Sequence, residues 1–455
     1  MSQILPSIAS KSSWFTQDRF GLFIHWGLYS LAARHEWIMQ KEEIAPETYR
    51  ERYFPRFEAD LFNAHEWAQR AADAGMKYVV FTTKHHEGFC LWDTKLTDYK
   101  VTNSPLGRDV TREVVDAFRA RGLKIGLYHS LIDWSHPDFK IDDQHALRFH
   151  PDREALDEGR DQKRYAEYLH GQVRELLTDY GQIDLLFYDF SYPERFGWTN
   201  TKTGGPFRGY KDRSAWDAEN LVKMCRELQP QILINDRLDL EDVEAGWDYT
   251  TPEQFVPREG ATKNGQRVLW ETCQTFSGSW GYFRDEESWK SPQQLITLLI
   301  DSVSKGGNLL MNVGPTGRGD FDARANDALD VYARWMKRHQ KAVYNCGPAP
   351  FVAPGGCVFT YNQKTNRLYL HVLAWPFEQL HLENMAGRIE YAQLLHDASE
   401  VRFSETTVLA NADAGEHAAL SEKQKSGMVT LQLPVKMPAV VVPVIELWLR
   451  TNKNI

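Results

Sequence analysis

The chain has 455 residues, a formal net charge of −9 and 15 tryptophans, a length that suits one large domain with a smaller companion. Its acidic balance, with no long basic run, argues against a nucleic-acid partner. Five well-separated cysteines, Cys90, Cys225, Cys273, Cys346 and Cys357, lack any CxxC spacing, which fits free thiols better than a disulfide framework. No apolar run approaches a membrane span and residues 1–11 lack an apolar leader core, so a cytoplasmic protein without a membrane partner is expected.

Phe20 to Gly27 (FGLFIHWG) reads as a buried strand that ends on His25 and a glycine turn, and a loop carrying His35-Glu36-Trp37 follows. Helical apolar spacing runs from Asp60 to Ala74 and stops before Gly75. Lys77 to Lys84 is a second strand, leading into His85-His86-Glu87-Gly88-Phe89. The unit then repeats: helix Thr111 to Arg121, strand Lys124 to Ser130, helix Gln162 to Tyr180, and the run Ile183 to Asp189, which ends on a carboxylate. Helix Ser214 to Leu228 leads to a fifth strand over Gln231 to Arg237. A short extended piece, Asp248 to Glu253, is a candidate sixth, and Arg267 to Glu271 a seventh. Helix Ser291 to Lys305 precedes the eighth, Asn308 to Val313, and a last helix spans Ala325 to Ala342.

Near-continuous apolar strands alternating with helices indicate a parallel sheet covered on both faces, and eight such units indicate a (β/α)8-like TIM barrel. The sixth unit is the weakest, because no helix follows it. Beyond about Phe351 the pattern changes to hairpin-like alternation, including Cys357 to Tyr361, Arg367 to Val372, Val429 to Leu433 and Ala439 to Leu447. This predicts an α/β chain whose residues 1–345 form the catalytic barrel and whose residues 346–455 form a C-terminal antiparallel β-sandwich. The Ala/Asp/Gly stretch near Asn411 reads as a loop.

The C-terminal ends of barrel strands converge on one bowl, which brings together His25, His85, His86, Tyr128, His129, Asp189, Arg237, Glu253 and Glu271. A metal is disfavoured, because the first strand offers one histidine rather than an H-x-H pair. The adjacent His85 and His86 would face opposite ways unless their strand had already ended. Two carboxylates with neutral donors and tryptophan walls suit glycoside hydrolysis better, with no cofactor. His129 is expected to face the core rather than a ligand, and Arg237 could instead neutralise Asp236.

Taken together, Phe20 to Gly27, His35-Glu36-Trp37, Lys84 to Phe89, Tyr128 to Ser130, Phe187-Tyr188-Asp189, Asn235-Asp236-Arg237, Trp270-Glu271 and Ser279 to Tyr282 resemble the α-L-fucosidases of glycoside hydrolase family 29. The similarity runs in order from Trp14 to about Pro315, and the motifs are specific only as a set. It implies a barrel with a β-sandwich, a metal-free retaining mechanism on fucosylated oligosaccharides or glycoconjugates, and Asp189 as nucleophile. Tyr188 and Phe190 stand where many members have a small residue and a glycine, which would reshape the pocket floor. The same resemblance puts His25, Glu36, Trp37, His85, His86, Tyr128, Arg237, Glu271 and Trp280 around the fucose. Glu253 and Glu271 compete as acid/base, with Glu253 favoured because it follows a looser segment nearer the rim. Alternatives are a barrel glycosidase for another sugar or an inactive carbohydrate-binding protein. A homo-oligomer is compatible with the sequence.

Overall fold

The computed structural model describes residues 11–406 and 427–451; residues 1–10 and the stretch around Asn411 fall outside them. Eight parallel strands form the main sheet: β1 Phe20–Ile24, β2 Tyr78–Lys84, β3 Lys124–Ser130, β4 Leu185–Asp189, β5 Leu233–Ile234, β6 Tyr249–Thr250, β9 Leu269–Thr275 and β10 Asn308–Val313. A small hairpin, β7 Thr262–Lys263 and β8 Gln266–Arg267, sits between β6 and β9. The strand order is β5-β4-β3-β2-β1-β10-β9-β6. Its two edges meet at a single parallel bridge, Asn235 to Tyr249, beside a hydrogen bond from the Asp248 N–H to the Ile234 carbonyl at 2.7 Å. The sheet is thus a nearly closed (β/α)8-like barrel.

Every residue of β1, β2, β9 and β10 is buried, as expected of strands covered by helices outside and by side chains within. The interior holds alternate residues from successive strands, among them Phe23, Tyr78, Tyr128, Phe187, Leu233, Tyr249 and Leu310. Outside, helices start on side-chain caps: Asn63, Asp109, Asp161 and Asp322 each accept backbone N–H groups, and Ser291 with Gln294 forms a capping box.

Several boundaries differ from expectation for local reasons. The predicted Asp60 helix begins only at Ala64, where Asn63 caps it, and Leu61 is left exposed. The predicted Ser214 helix breaks at Asp217 (φ 48°) into a 3-10 turn, Arg213–Trp216, and an α-helix, Ala218–Leu228. Beyond β5, Asn235 uses its side-chain amide to bond both the N–H and the carbonyl of Tyr188, continuing the pairing without a longer strand. No helix lies between β5 and β6 or between β6 and β9, so the barrel lacks two outer helices, both in the stretch from Arg237 to Arg267 where the sequence offered none.

The C-terminal region forms two antiparallel sheets. One has the order β11-β12-β17-β14 (Cys357–Asn362, Arg367–Val372, Val444–Leu449, Ile389–Leu394) and the other β13-β16-β15 (Gln379–Glu383, Met428–Gln432, Phe403–Thr406). Their inner faces share a core of Leu368, Leu370, Leu382, Val429, Leu431 and Leu447, the layering of a β-sandwich. The sandwich is tied to the barrel: Trp335 Nε1 donates to the Val442 carbonyl at 3.2 Å, and Val442 and Val444 belong to the barrel's outer core.

Candidate active site

Asp189 is the last residue of β4 and faces the bowl, with its side chain 14% exposed. Two donors fix its carboxylate. Tyr128, two residues before the end of β3 and on the interior face, donates its hydroxyl to Oδ2 at 2.9 Å, and Arg237 donates Nη1 to Oδ1 at 2.7 Å. The same guanidinium donates Nη2 to Glu253 Oε2 at 2.9 Å, and its Nε to Thr251 Oγ1 at 2.9 Å. Burial disfavours the charge on Arg237, but Asp189, Glu253 and Asp236 outweigh it and hold its pKa well above the usual range. Arg237 therefore does not simply neutralise Asp236, whose Oδ1 accepts from the Thr251 N–H and hydroxyl. It holds the two carboxylates proposed for catalysis side by side.

Glu253 reaches this position because the chain after β6 keeps pairing with β9: Glu253 bridges Cys273, and the Cys273 N–H bonds the Pro252 carbonyl at 3.2 Å. It is in effect the exit residue of the sixth strand, at the rim, with a side chain 43% exposed. Glu271 is elsewhere. β9 runs four residues beyond the predicted end, so Glu271 is only its third residue, paired in register with Asn308, the first of β10. It lies fully buried in the lower barrel, accepts the Tyr78 hydroxyl, and burial pushes its carboxyl up to about 8. Its expected place on the sugar is corrected on that ground: the strand end was taken too early.

β2 ends at Lys84 after a register shift that starts at Thr82, so the consecutive His85 and His86 both turn into the bowl, their ring centres 4.1 Å apart. The tautomers of two histidines follow from their partners. Ser130 Oγ gives its one proton to the Ile132 carbonyl (2.7 Å), so the contact with His86 Nδ1 at 2.6 Å must be donated by the ring. Asn312 Nδ2 donates to the Trp280 carbonyl at 2.6 Å, which turns its Oδ1 toward His25 Nδ1 at 2.6 Å and makes that nitrogen a donor too. Burial pushes both imidazoles down to about 3. Each is therefore a neutral ring whose Nε2 is a lone-pair acceptor. His86 Nε2 faces Asp189 Oδ2 at 3.9 Å, two acceptors separated by the space a hydroxyl donor would bridge.

Glu36 is buried behind this floor, where its carboxylate accepts the Gly281 N–H at 2.9 Å. Burial pushes it up to about 7, and its Oε1 accepts no hydrogen bond, with His35 Nδ1 3.2 Å away. Trp37 packs its ring 4.9 Å from His86, and Trp280 lies 5.3 Å from His25. His129 points out of the barrel toward the helix layer, 5.7 Å from Trp92, and takes no part. Ser130 and Asn312 were missed as site residues. The available signal was their position, polar side chains on the interior face at or near strand ends, in register with Asp189 and Phe23 respectively. Among the described residues no group of three or more His, Cys, Asp or Glu is placed to hold a metal ion.

A sequence model of the Alpha-L-fucosidase family matches residues 5–341. The chain belongs to the α-L-fucosidase family. It is 29% identical to human plasma α-L-fucosidase over 394 residues, 80% of this chain and 76% of that one. Its fold superposes on α-L-fucosidase isoenzyme 1 from Paenibacillus thiaminolyticus with a TM-score of 0.85 and 40% identity, covering 98% and 100% of the two chains. A GH29 α-L-fucosidase from Bacteroides thetaiotaomicron, trapped as a covalent intermediate with 2-fluoro-fucosyl fluoride, matches with a TM-score of 0.79 and 26% identity over 99% and 98%. The family acts on fucosylated glycans. The cytoplasmic location expected from residues 1–11 is overturned by these relatives, since the human one is named for plasma, an extracellular fluid.

Proposed function

We propose that this chain is an exo-acting, retaining α-L-fucosidase that releases terminal α-L-fucose by double displacement, with Asp189 as nucleophile and Glu253 as acid/base. The observation that carries the reading is the single guanidinium of Arg237 shared by both carboxylates. In the first step an Asp189 oxygen bonds to the anomeric carbon, the glycosidic bond breaks, and the Glu253 carboxyl proton passes to the leaving oxygen. Negative charge thus leaves Asp189 and appears on Glu253, and Arg237 touches both ends of that transfer. In the second step Glu253 takes a proton from water, the water oxygen bonds to the anomeric carbon, and Asp189 is freed as a carboxylate. Two carboxylates on one arginine also fit the close spacing of retaining enzymes, about 5–5.5 Å, better than the wider gap that admits a water in inverting ones.

The floor supports the glycone assignment. His25 and His86 present fixed acceptors for sugar hydroxyls, Glu36 has an oxygen that accepts no hydrogen bond from the protein, and the Trp37 and Trp280 rings supply apolar walls suited to a deoxysugar's methyl group. The division of the chain at residues 345 and 346 belongs to the same reading: the sandwich has its own core and contributes none of the residues named in the bowl. The test is hydrolysis of aryl α-L-fucosides against aryl galactosides, with the first product read by NMR. Fucoside cleavage giving the α-anomer first is expected. A preference for galactosides, or the inverted anomer first, would refute it.

A further inference from the structure

The two edges of the barrel sheet meet through one backbone bridge, Asn235 to Tyr249, and the seam beyond it, on the catalytic side, is closed by side chains. Asp236 and Arg237 follow β5 on one side of that seam, and Thr251 follows β6 on the other. Asp236 Oδ1 accepts the Thr251 N–H at 3.2 Å and the Thr251 hydroxyl at 3.1 Å, standing in for the backbone acceptor that a longer strand would have supplied.

Proton count fixes the direction of the hydroxyl. Thr251 Oγ1 lies 3.1 Å from an acceptor, Asp236 Oδ1, and 2.9 Å from Arg237 Nε, which carries its own proton and has no lone pair to offer. The single hydroxyl proton therefore goes to Asp236, and the oxygen lone pair receives the Arg237 Nε–H. The Thr251 carbonyl takes a second bond, from Nη2 at 3.1 Å. One residue, only 6% exposed, thus holds the guanidinium at two of its nitrogens, and the Phe187 ring centre lies 5.2 Å from the guanidinium carbon.

The outer nitrogens of the same group reach Asp189 through Nη1 and Glu253 through Nη2. A guanidinium is planar and turns as one body, so a fixed Nε–H fixes where both outer nitrogens point. Asp189 and Glu253 exchange negative charge in each half of the reaction, and on their own they would draw the arginine first one way and then the other. Thr251 and Asp236 take no part in that exchange. We propose that Thr251, its hydroxyl oriented by Asp236, is a positioning residue for the reaction: it holds Arg237 at one angle while negative charge passes from Asp189 to Glu253 and back. The proposal rests on the assignment of those two carboxylates as nucleophile and acid/base, and adds to it the group that keeps their shared arginine still.

Three variants test it. Thr251→Val keeps the shape and removes the hydroxyl, Thr251→Ala removes hydroxyl and bulk together, and Thr251→Ser keeps the hydroxyl. On an aryl α-L-fucoside, kcat should fall about tenfold or more in Thr251→Val and Thr251→Ala with KM within about twofold of wild type, and Thr251→Ser should keep most of the wild-type kcat. An unchanged kcat without the hydroxyl would overturn the proposal. So would a loss that appears in KM, or one that Thr251→Ser shares, because packing and not the hydroxyl would then be responsible. Labelling with a 2-fluorofucosyl donor separates the two readings. An ester on Asp189 together with a fully active Thr251→Val removes the positioning role alone, whereas a wild-type ester on another residue removes the carboxylate assignment and the positioning role with it.

Discussion

At the scale of single residues, the hydrogen bonds made by Ser130 and Asn312 fix which nitrogens of His86 and His25 donate and which accept. As the proposed acid/base, Glu253 has to give up a proton in the first step and take one in the second. Glu253→Ala should therefore keep first-step activity on an aryl fucoside with a good leaving group, lose it on a natural linkage by several orders of magnitude, and regain turnover with added azide. Glu271→Ala should show no azide rescue, since its carboxyl is sealed in the lower barrel with Tyr78. Ser130 acts through His86 as a positioning residue. Ser130→Ala removes the acceptor for the Nδ1 proton and frees the ring to take the other tautomer, which would present a donor where the sugar needs an acceptor. Substrate kcat/KM should drop about tenfold with thermal stability little changed, and Ser130→Thr should restore most of it. Equal activity in Ser130→Ala would mean that the tautomer is set some other way.

At the scale of elements, what could be read from sequence was the apolar strand with a polar exit. β3 and β10 occur with the predicted boundaries, and period-two alternation carries Tyr128, Asp189 and, one residue past β1, His25 to the interior, whereas the consecutive His85 and His86 both turn inward only because β2 has ended at Lys84. What could not be read was register. The predicted end of the seventh strand at Glu271 was four residues short, because nothing local distinguishes a mid-strand carboxylate held by a distant tyrosine from one at an exit. The room for that tyrosine comes from β1: a Cβ on Gly21 would stand 2.3 Å from the Tyr78 ring. Gly21→Ala should thus destabilise the fold by about 1–3 kcal/mol through overpacking, read as a lower urea midpoint with an unchanged slope. A neutral effect would mean that the Tyr78 ring has space to move that the packing denies it.

At the scale of the whole molecule, buried titratable groups pull stability in opposite directions with pH. Burial raises Glu271 from 4.5 to about 8 and Glu87 likewise to about 8, so the folded state holds protons the unfolded chain has lost; that stability is full below about pH 4.5 and is lost as pH rises through 8. His25 and His86 are lowered from 6.5 to about 3, so their contribution is present above 6.5 and declines as pH falls below it. Maximum stability is expected in mildly acidic solution. Glu271→Gln should lose less stability than wild type between pH 6 and pH 8.5 in urea unfolding, and identical slopes would show that Glu271 does not carry the alkaline limb. The barrel's two missing outer helices belong to this scale too, since they leave the chain between β5 and β9 free to bring Arg237 and Glu253 over Asp189. The central claim is that this bowl works through a covalent bond to Asp189, and a 2-fluorofucosyl donor tests it most directly. Rapid quench, digestion and mass spectrometry should find one fucosyl ester, on Asp189; an ester on any other residue, or turnover with inversion and no ester at all, would contradict the account.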